Sequence, residues 1–454
     1  MKLTLLEVEA YRVYQRDDRG QSDIPFRLQA SERATGNVEA RISSAAYSAP
    51  WQLMGVMEEG SFSGKMENIP VGKYSLEFRV TKGDNTAMVT VSPVFVGDLW
   101  LLAGQSNMEG CGKEIDAETP MEGVSCFYLG DRWALAEEPL CWLQEAIDPV
   151  HWRVPAGEVA EEAAKQRSER ANGAGLGLTF AKELLRETGI PIGLVIAAHG
   201  GTRMEQWDPA RANEGWHSFY GAMLRKIRKL GGRIKGCLWY QGESDANESF
   251  GPMYRERTNG FINSLRRDTG DEKLPFLYAQ LSVHYSQEDP YWWNFVQQEQ
   301  LKLESQLDGI RMVPTIDASL SDGIHLDARS LQAVGRRMAW AALSQAYNRP
   351  AALSGPRPGS FAWNADRTEL SLSFAGINGR LAEVRQVFGF RVEAEGCCLA
   401  CSGIVAEDGR RVVFAFDRPV PQGATIRHGF GRNPVVNVRD SLGIPLPVFA
   451  PIPV

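Results

Sequence analysis

The sequence predicts an α/β protein in which a parallel-sheet domain with helices on both faces is flanked at each end by a β-rich, sandwich-like domain. Three observations predict it. Residues 1–95 carry short runs of alternating apolar and polar residues between turn signals, the pattern of half-buried strands. From residue 96 onward, apolar strand-like runs alternate with amphipathic helical stretches, as in a parallel sheet joined by crossover helices. Beyond a Pro/Gly/Ser-rich linker at 350–360, strand patterns return and continue to the end. The expected domains are therefore 1–95, 96–350 and 351–454, and a chain of 454 residues is too long for one ordinary core.

In the first part, strands are expected at 4–14, 26–30, 51–56, 74–80 and 87–91, with Pro70-Val71-Gly72 and Lys82-Gly83-Asp84-Asn85 as turns. A last strand at 90–96 feeds directly into the apolar run that opens the middle part, so these two domains should be fixed to each other. In the middle part, strands are expected at 194–198, 236–240 and 276–281, and helices at 176–185, 295–306 and 328–346. Residues 111–172, rich in Trp, Pro and Glu, fit the repeat badly and read as an insertion of the kind that walls an enzyme site. In the last part, strands are expected at 369–374, 389–394, 411–416 and 425–427.

Composition excludes several classes of function. A net charge of −7 with no basic stretch argues against nucleic acid or an anionic membrane as partner. No apolar run reaches the roughly 18 to 20 residues that a membrane-spanning helix needs. The segment Met1 to Ala10 meets acidic residues too early for a secretory signal, so the chain reads as cytoplasmic, or as periplasmic or secreted if a leader has been removed. Seven cysteines, an odd number, suit free thiols in a reducing compartment. Cys397-Cys398-x-x-Cys401 has no neighbouring histidine or second pair to complete four metal ligands, and no metal site is expected.

The residues that carry chemistry stand at the ends of the expected strands, where open α/β sheets bind their ligands. The run Asp98 to Ala103 ends in Gly104-Gln105-Ser106-Asn107-Met108, a small turn that presents one serine, and Ser106 is the candidate nucleophile. Ser321-Asp322-Gly323-Ile324-His325 places an aspartate and a histidine three residues apart in a glycine-containing turn. The carboxylate can then hold one ring nitrogen while the other faces a serine, the arrangement that a weak hydroxyl nucleophile needs. Between these lie His199-Gly200-Gly201-Thr202, whose glycines can turn an N–H toward a developing oxyanion, and Gln241-Gly242-Glu243, with a side-chain amide and a second carboxylate.

In this order GQSNM, HGGT with E-x-W, WYQGESD and DGIH resemble the four blocks of the SGNH hydrolase superfamily, and more narrowly its sialate O-acetylesterase and acetylxylan esterase branch. The resemblance covers roughly residues 96–350. It implies an SGNH-hydrolase-like three-layer α/β/α domain with Ser106 as nucleophile, His325 as general base and acid, and Asp322 as the orienting acid. It further implies an oxyanion hole of the Ser106 N–H, the Gly201 N–H, or less favoured that of Gly200, and the Gln241 side chain. The wider superfamily has asparagine in the third block where this branch and this chain have glutamine followed by glutamate, so Glu243 competes with Asp322 for the orienting role. His199 is either a pocket residue or a structural histidine. Gln105, Arg203, Trp207 and Trp292 are the candidate substrate contacts, the last two by stacking on a sugar ring.

The reaction so implied is removal of O-acetyl groups from a carbohydrate through an acyl-enzyme, with no cofactor. Sialate, xylan and smaller acetylated glycans remain as substrates, and the sequence carries no signal of oligomeric state. A lipid or thioester hydrolase, which would want a long apolar channel, and a non-catalytic carbohydrate-binding protein, which would tolerate loss of the nucleophile or base, are the other readings.

Overall fold

The computed structural model describes residues 1–349 and 352–454. Pro350 and Ala351, the start of the expected linker, lie outside the described residues. The rest of that linker is shorter than expected, because Arg357–Trp363 is already a strand.

One strand organises the first two thirds of the chain. Asn85–Gly104 is 20 residues long, and its burial changes along its length from alternating in the first half to continuous from Val94 onward. That change is written in the residues. Thr86-Ala87-Met88-Val89-Thr90-Val91 alternates, as a strand with one face in solvent does, whereas Val94 to Gly104 is nearly unbroken apolar sequence, as for a strand covered on both faces. The first half pairs antiparallel with Gly72–Lys82 in an N-terminal sheet that also holds Gly36–Ser43 and Gln52–Met57. The second half lies between Ile192–Ile196 and Gly236–Tyr240, parallel to both.

The central sheet runs in the order Trp133–Leu135, Val124–Phe127, Ile192–Ile196, Asn85–Gly104, Gly236–Tyr240, Phe276–Ala279, Ile310–Val313, with only the first strand antiparallel to its neighbour. Two of these strands come from residues 111–172, which corrects the reading of that stretch as an insertion. Val124-Ser125-Cys126-Phe127 is fully buried and pairs parallel with Ile192–Ile196, but four residues are too few to show a period. The later part of the stretch does leave the scaffold. It is held down by Arg225 of the helix Phe219–Lys229, whose guanidinium bonds both Asp131 and the buried Asp148. The helices Gly177–Thr188 and Ala328–Ala346 pack on each other and on the sheet. Trp207, Phe219, Trp239 and Phe261 form one aromatic cluster against the helices Phe219–Lys229 and Tyr254–Thr269.

Two further cores lie on either side. At the N-terminal end, Ile24, Phe26 and Leu28 from the sheet Leu3–Leu6, Gln21–Ala30, Ser61–Pro70 pack with Val38, Leu76 and Phe78 from the sheet that continues into the centre. At the C-terminal end, two four-stranded sheets share a core around Leu372, Val392, Phe414 and Ile426. All seven cysteines are free, Cys397 and Cys398 being exposed on the hairpin strand Cys397–Leu399. No helix among the described residues is long and apolar enough to cross a membrane.

The tightest approach in the sheet falls at its centre. Gly104 has φ +134° and sits opposite Tyr240, where an added Cβ would lie 2.2 Å from the Tyr240 carbonyl oxygen. Neither the angle nor the space admits a side chain, so Gly104→Ala should cost about 3 kcal/mol or more and lower the Tm by roughly 6 to 12 °C in thermal unfolding. A shift of less than about 2 °C would show that the strands can separate without penalty.

Candidate active site

Ser106 opens the four-residue helix Ser106–Glu109 immediately after the central strand. Two backbone bonds carry the sheet ladder past the strand ends into this turn: Gln105 N–H donates to Tyr240 O at 2.8 Å, and His199 N–H donates to Gly104 O at 3.0 Å. The turn bearing Ser106 is therefore tied on one side to the segment after Gly236–Tyr240 and on the other to the segment after Ile192–Ile196.

His325 reaches Ser106 from the loop before the helix Ala328–Ala346. Its Nε2 lies 3.0 Å from Ser106 Oγ, and its Nδ1 lies 2.7 Å from Asp322 Oδ2. The other oxygen of Asp322 accepts the N–H groups of Ile324 and His325, each at 2.8 Å, a local turn stabilised by the aspartate itself. Ser321 N–H closes the loop by donating to His325 O, and Asp327 caps the helix by accepting the Ser330 N–H at 2.7 Å. Burial pushes the Asp322 carboxyl up, but the two N–H donors and the imidazole outweigh it and hold it below the ordinary carboxylate value.

Glu243 does not touch the imidazole. Its Oε1 accepts Asn107 Nδ2 at 2.7 Å, and burial raises its carboxyl above the ordinary value despite that hydrogen bond. Nor does it meet Arg203, which pairs with Glu205 at 2.9 Å. Asn107 uses the other end of its amide to accept the Leu326 N–H at 3.0 Å, so one side chain ties Glu243 to the histidine loop. Sequence reasoning passed over Asn107. The available signal was its place directly after Ser106, in a turn too tight to expose both of its hydrogen-bonding ends.

The site opens into a cavity of about 700 Å³ lined by Gln105, Ser106, Glu109, Cys111, Leu143, Arg153, Arg170, Gly200, Gly201, Glu243, Ile324, His325 and one side of the helix Val159–Glu169. The N–H groups of Ser106 and Gly201 have no intramolecular acceptor among the described residues, whereas that of Gly200 donates to Glu109 Oε2 at 2.8 Å. Burial pushes the Cys111 thiol up to about 12, so it stands on the wall protonated.

Several expected contacts are corrected. Gln241 is fully buried off the cavity wall, and its Nε2 is spent on Thr202 O at 3.0 Å and Asp245 Oδ2 at 2.5 Å. Trp207 cannot stack on a sugar: it has no exposed surface, lies against Phe219, and donates its indole N–H to Thr202 Oγ1. Arg203, over the Phe250 ring, and Trp292, against Gly251, lie off the cavity wall. Gln105 does reach the wall, but its buried amide turns inward, where its nitrogen can donate to Thr202 O and Glu243 Oε2 at 3.2 and 3.3 Å. His199 is a core histidine facing His151 at 3.4 Å between their Nδ1 atoms, and burial first, then Arg153, lowers it to about 3.

A family model described as "Carbohydrate esterase, sialic acid-specific acetylesterase" matches residues 96–344. The chain belongs to this family. Membership in these esterases makes it a carbohydrate acetylesterase, a carboxylic ester hydrolase. Among relatives, a probable carbohydrate esterase of Arabidopsis thaliana is 28% identical over 292 residues, which cover 58% of this chain and 97% of that protein. The sialate O-acetylesterase of Homo sapiens is 27% identical over 202 residues, 39% of this chain and 37% of that protein. The crystal structure of a carbohydrate acetylesterase from Xanthomonas citri superposes with a TM-score of 0.69 over 98% of this chain and 99% of that one, at 23% identity, and shows that the fold is shared.

For this carbohydrate esterase, the double contact of Asn107 generates an expectation. Asn107→Ala removes the tie between Glu243 and the histidine loop and takes from a partly buried carboxylate its Asn107 donor, so turnover of a small acetyl ester should fall about 10- to 100-fold with KM within about threefold. An unchanged turnover number would show that the loop holds its position unaided.

Proposed function

We propose that the chain removes acetyl groups from a carbohydrate hydroxyl by a two-step serine mechanism. The observation that carries this reading is the contact series Asp322 Oδ2 to His325 Nδ1 at 2.7 Å and His325 Nε2 to Ser106 Oγ at 3.0 Å, facing one cavity. Ser106 Oγ attacks the acetyl carbonyl carbon while His325 Nε2 takes its proton, and Asp322 stabilises the imidazolium. The N–H groups of Ser106 and Gly201 hold the tetrahedral oxyanion. Collapse expels the sugar alkoxide, which takes the proton from His325. Water then attacks the acetyl-enzyme with the same proton transfers, releasing acetate and free Ser106.

The walls favour a short acyl group. They carry Glu109, Arg153, Lys165, Glu169 and Arg170, with Leu143 and Ile324 as the larger apolar side chains, so a long acyl chain would meet charge rather than an apolar channel. Trp239 and Tyr240, the bulky residues that lead into the third block, are buried in the core and do not line the cavity. The substrate in this reading is an acetylated glycan, sialate by family resemblance and xylan as the alternative. The catalytic unit is a three-layer α/β/α domain at 96–350 between β-rich domains at 1–95 and 351–454.

Three expectations follow from these roles. Ser106→Ala and His325→Ala should each lower turnover of a small acetyl ester about 10³-fold or more with the Tm nearly unchanged. Retention of a tenth of the activity in either variant would overturn the serine mechanism. Acetyl esters should exceed butyryl and longer esters by roughly tenfold or more in kcat/KM; equal turnover of octanoyl esters would point to a lipid hydrolase, and a panel of acetylated glycans would name the sugar. Asp322→Asn should cost about 10³- to 10⁴-fold because the amide favours the wrong imidazole tautomer, while Glu243→Gln, which can still accept from Asn107, should cost about tenfold or less. Assays of the two side by side at pH 7 to 8 decide the orienting acid: the opposite ranking would make it Glu243.

A further inference from the structure

Glu109 stands at the end of the short helix that Ser106 begins, and the reaction proposed above gives it no part. Its position is unusual for a carboxylate. The side chain is only 10% exposed and forms cavity wall beside the nucleophile. Its Oε2 accepts the Gly200 N–H at 2.8 Å and meets Arg153 Nη2 at 3.3 Å, while Arg170 Nη2 stands 3.9 Å from its Oε1. The three groups crowd together: a Cβ on Gly200 would fall 2.9 Å from Glu109 Oε2, 2.9 Å from Arg153 Nη2 and 3.3 Å from Ser106 Cβ.

Two consequences follow. The Gly200 N–H is consumed, so of the two adjacent glycines only Gly201, at φ +77°, keeps an N–H without an intramolecular acceptor among the described residues. A carboxylate this close to Ser106 would also oppose negative charge growing on the ester oxygen, since Coulomb repulsion at a few ångströms is large in a partly buried site. Arg153 and Arg170 flank it and offset that charge. What remains is the hydrogen bond.

We propose that Glu109 is a positioning residue: by holding the Gly200 N–H it fixes the Gly200–Gly201 turn so that the Gly201 N–H meets the developing oxyanion, and the two arginines neutralise the carboxylate that does so. This rests on Ser106 being the nucleophile of an esterase.

The test compares wild type, Glu109→Ala and Glu109→Gln in steady-state turnover of a small acetyl ester, and in affinity for a boronic acid that forms a tetrahedral adduct with Ser106. Glu109→Ala should lower kcat about 10- to 100-fold with KM within about twofold, and weaken the boronate by a similar factor, short of the loss seen when an oxyanion donor is removed outright. Glu109→Gln keeps an acceptor oxygen and should stay within about threefold of wild type in both readouts. Normal kcat in Glu109→Ala, a loss confined to KM, or equal losses in Ala and Gln would each overturn the proposal. Should Glu109→Ala fail to fold, Arg153→Met serves instead. Arg153 is half exposed, and its loss leaves the carboxylate under-compensated, so kcat should fall about threefold or more; an unchanged value is the contrary result. If wild type is inactive, or Ser106→Ala is not impaired, the esterase reading itself has failed. If both behave as expected and Glu109→Ala is normal, only this inference falls.

Discussion

The parallel pairing of Asn85–Gly104 between Ile192–Ile196 and Gly236–Tyr240 is the constraint on which the site depends. Parallel neighbours in register bring their carboxyl ends to one edge, so three loops distant in sequence begin side by side. Here the alignment is enforced beyond the strands. His199 N–H to Gly104 O and Gln105 N–H to Tyr240 O continue the ladder into all three loops, and the closeness of Gly104 to the Tyr240 carbonyl leaves the central turn no room to shift. The Ser106 turn, the glycine pair and the Gln241–Glu243 segment are thus placed by backbone before any side chain contributes. Catalytic geometry tolerates errors of a fraction of an ångström, and backbone ladders are the stiffest means of meeting that requirement.

The fourth participant, His325, arrives from outside this ladder and is held differently. Its loop is closed by its own hydrogen bonds, anchored to the Ser106 turn through Asn107, and leaned on by the neighbouring loop through Tyr285 N–H to Gly323 O at 2.7 Å. That neighbouring loop is in turn held by the C-terminal region, where His284 N–H donates to Arg432 O and Arg432 pairs with Glu288. Gln280, just past the strand Phe276–Ala279, exchanges two hydrogen bonds with the backbone of Val448. At the other end of the chain, the N-terminal sheet shares the central strand outright, and Arg16 forks onto the buried Asp98 near the base of its inner half. Both flanking regions therefore bear on the site mechanically, one through a strand and the other through a relay of loops.

What was legible in the sequence follows from which forces are local. The strand patterns at 236–240 and 276–281, the helix at 328–346 and the change of character at residue 96 all come from side-chain periodicity, which neighbours in sequence display. The Asp322 and His325 pair was legible for the same reason, being three residues apart in one turn. Elements specified by partners were not: Val124–Phe127 and Ile310–Val313 are four-residue strands that exist because a sheet accepts them, and Ser61–Pro70 lacks a clear alternation. The aromatic residues misled most. Trp207 follows the glycine turn as a sugar platform would, yet it faces inward, because a large apolar surface beside Phe219 and Trp239 gains more from burial than from waiting for a ligand. Glutamine 241 misled for a related reason. A side-chain amide next to a strand end suits an oxyanion hole, but Asp245, four residues on, offers it a charged acceptor in a buried setting, and a hydrogen bond to a charged group outcompetes a vacant pocket.

The two carboxylates near the histidine illustrate how environment separates residues of the same chemistry. Glu243 stands partly buried on the cavity wall and accepts from the neutral amide of Asn107, and burial raises its carboxyl above the ordinary value. Asp322 is half exposed, accepts two backbone N–H groups and the imidazole, and is held in its charged form below the usual carboxylate range. Exposure might be thought to weaken it, since solvent screens its charge. The three hydrogen bonds compensate by fixing both oxygens, so what Asp322 contributes is direction as much as charge: in the proposed mechanism it would favour the tautomer with the proton on Nδ1, with Nε2 toward Ser106. Glu243, by contrast, holds Asn107 and through it the loop. One carboxylate meets the imidazole while the other meets the loop that carries it through Asn107, and their hydrogen-bond partners together with burial set them apart.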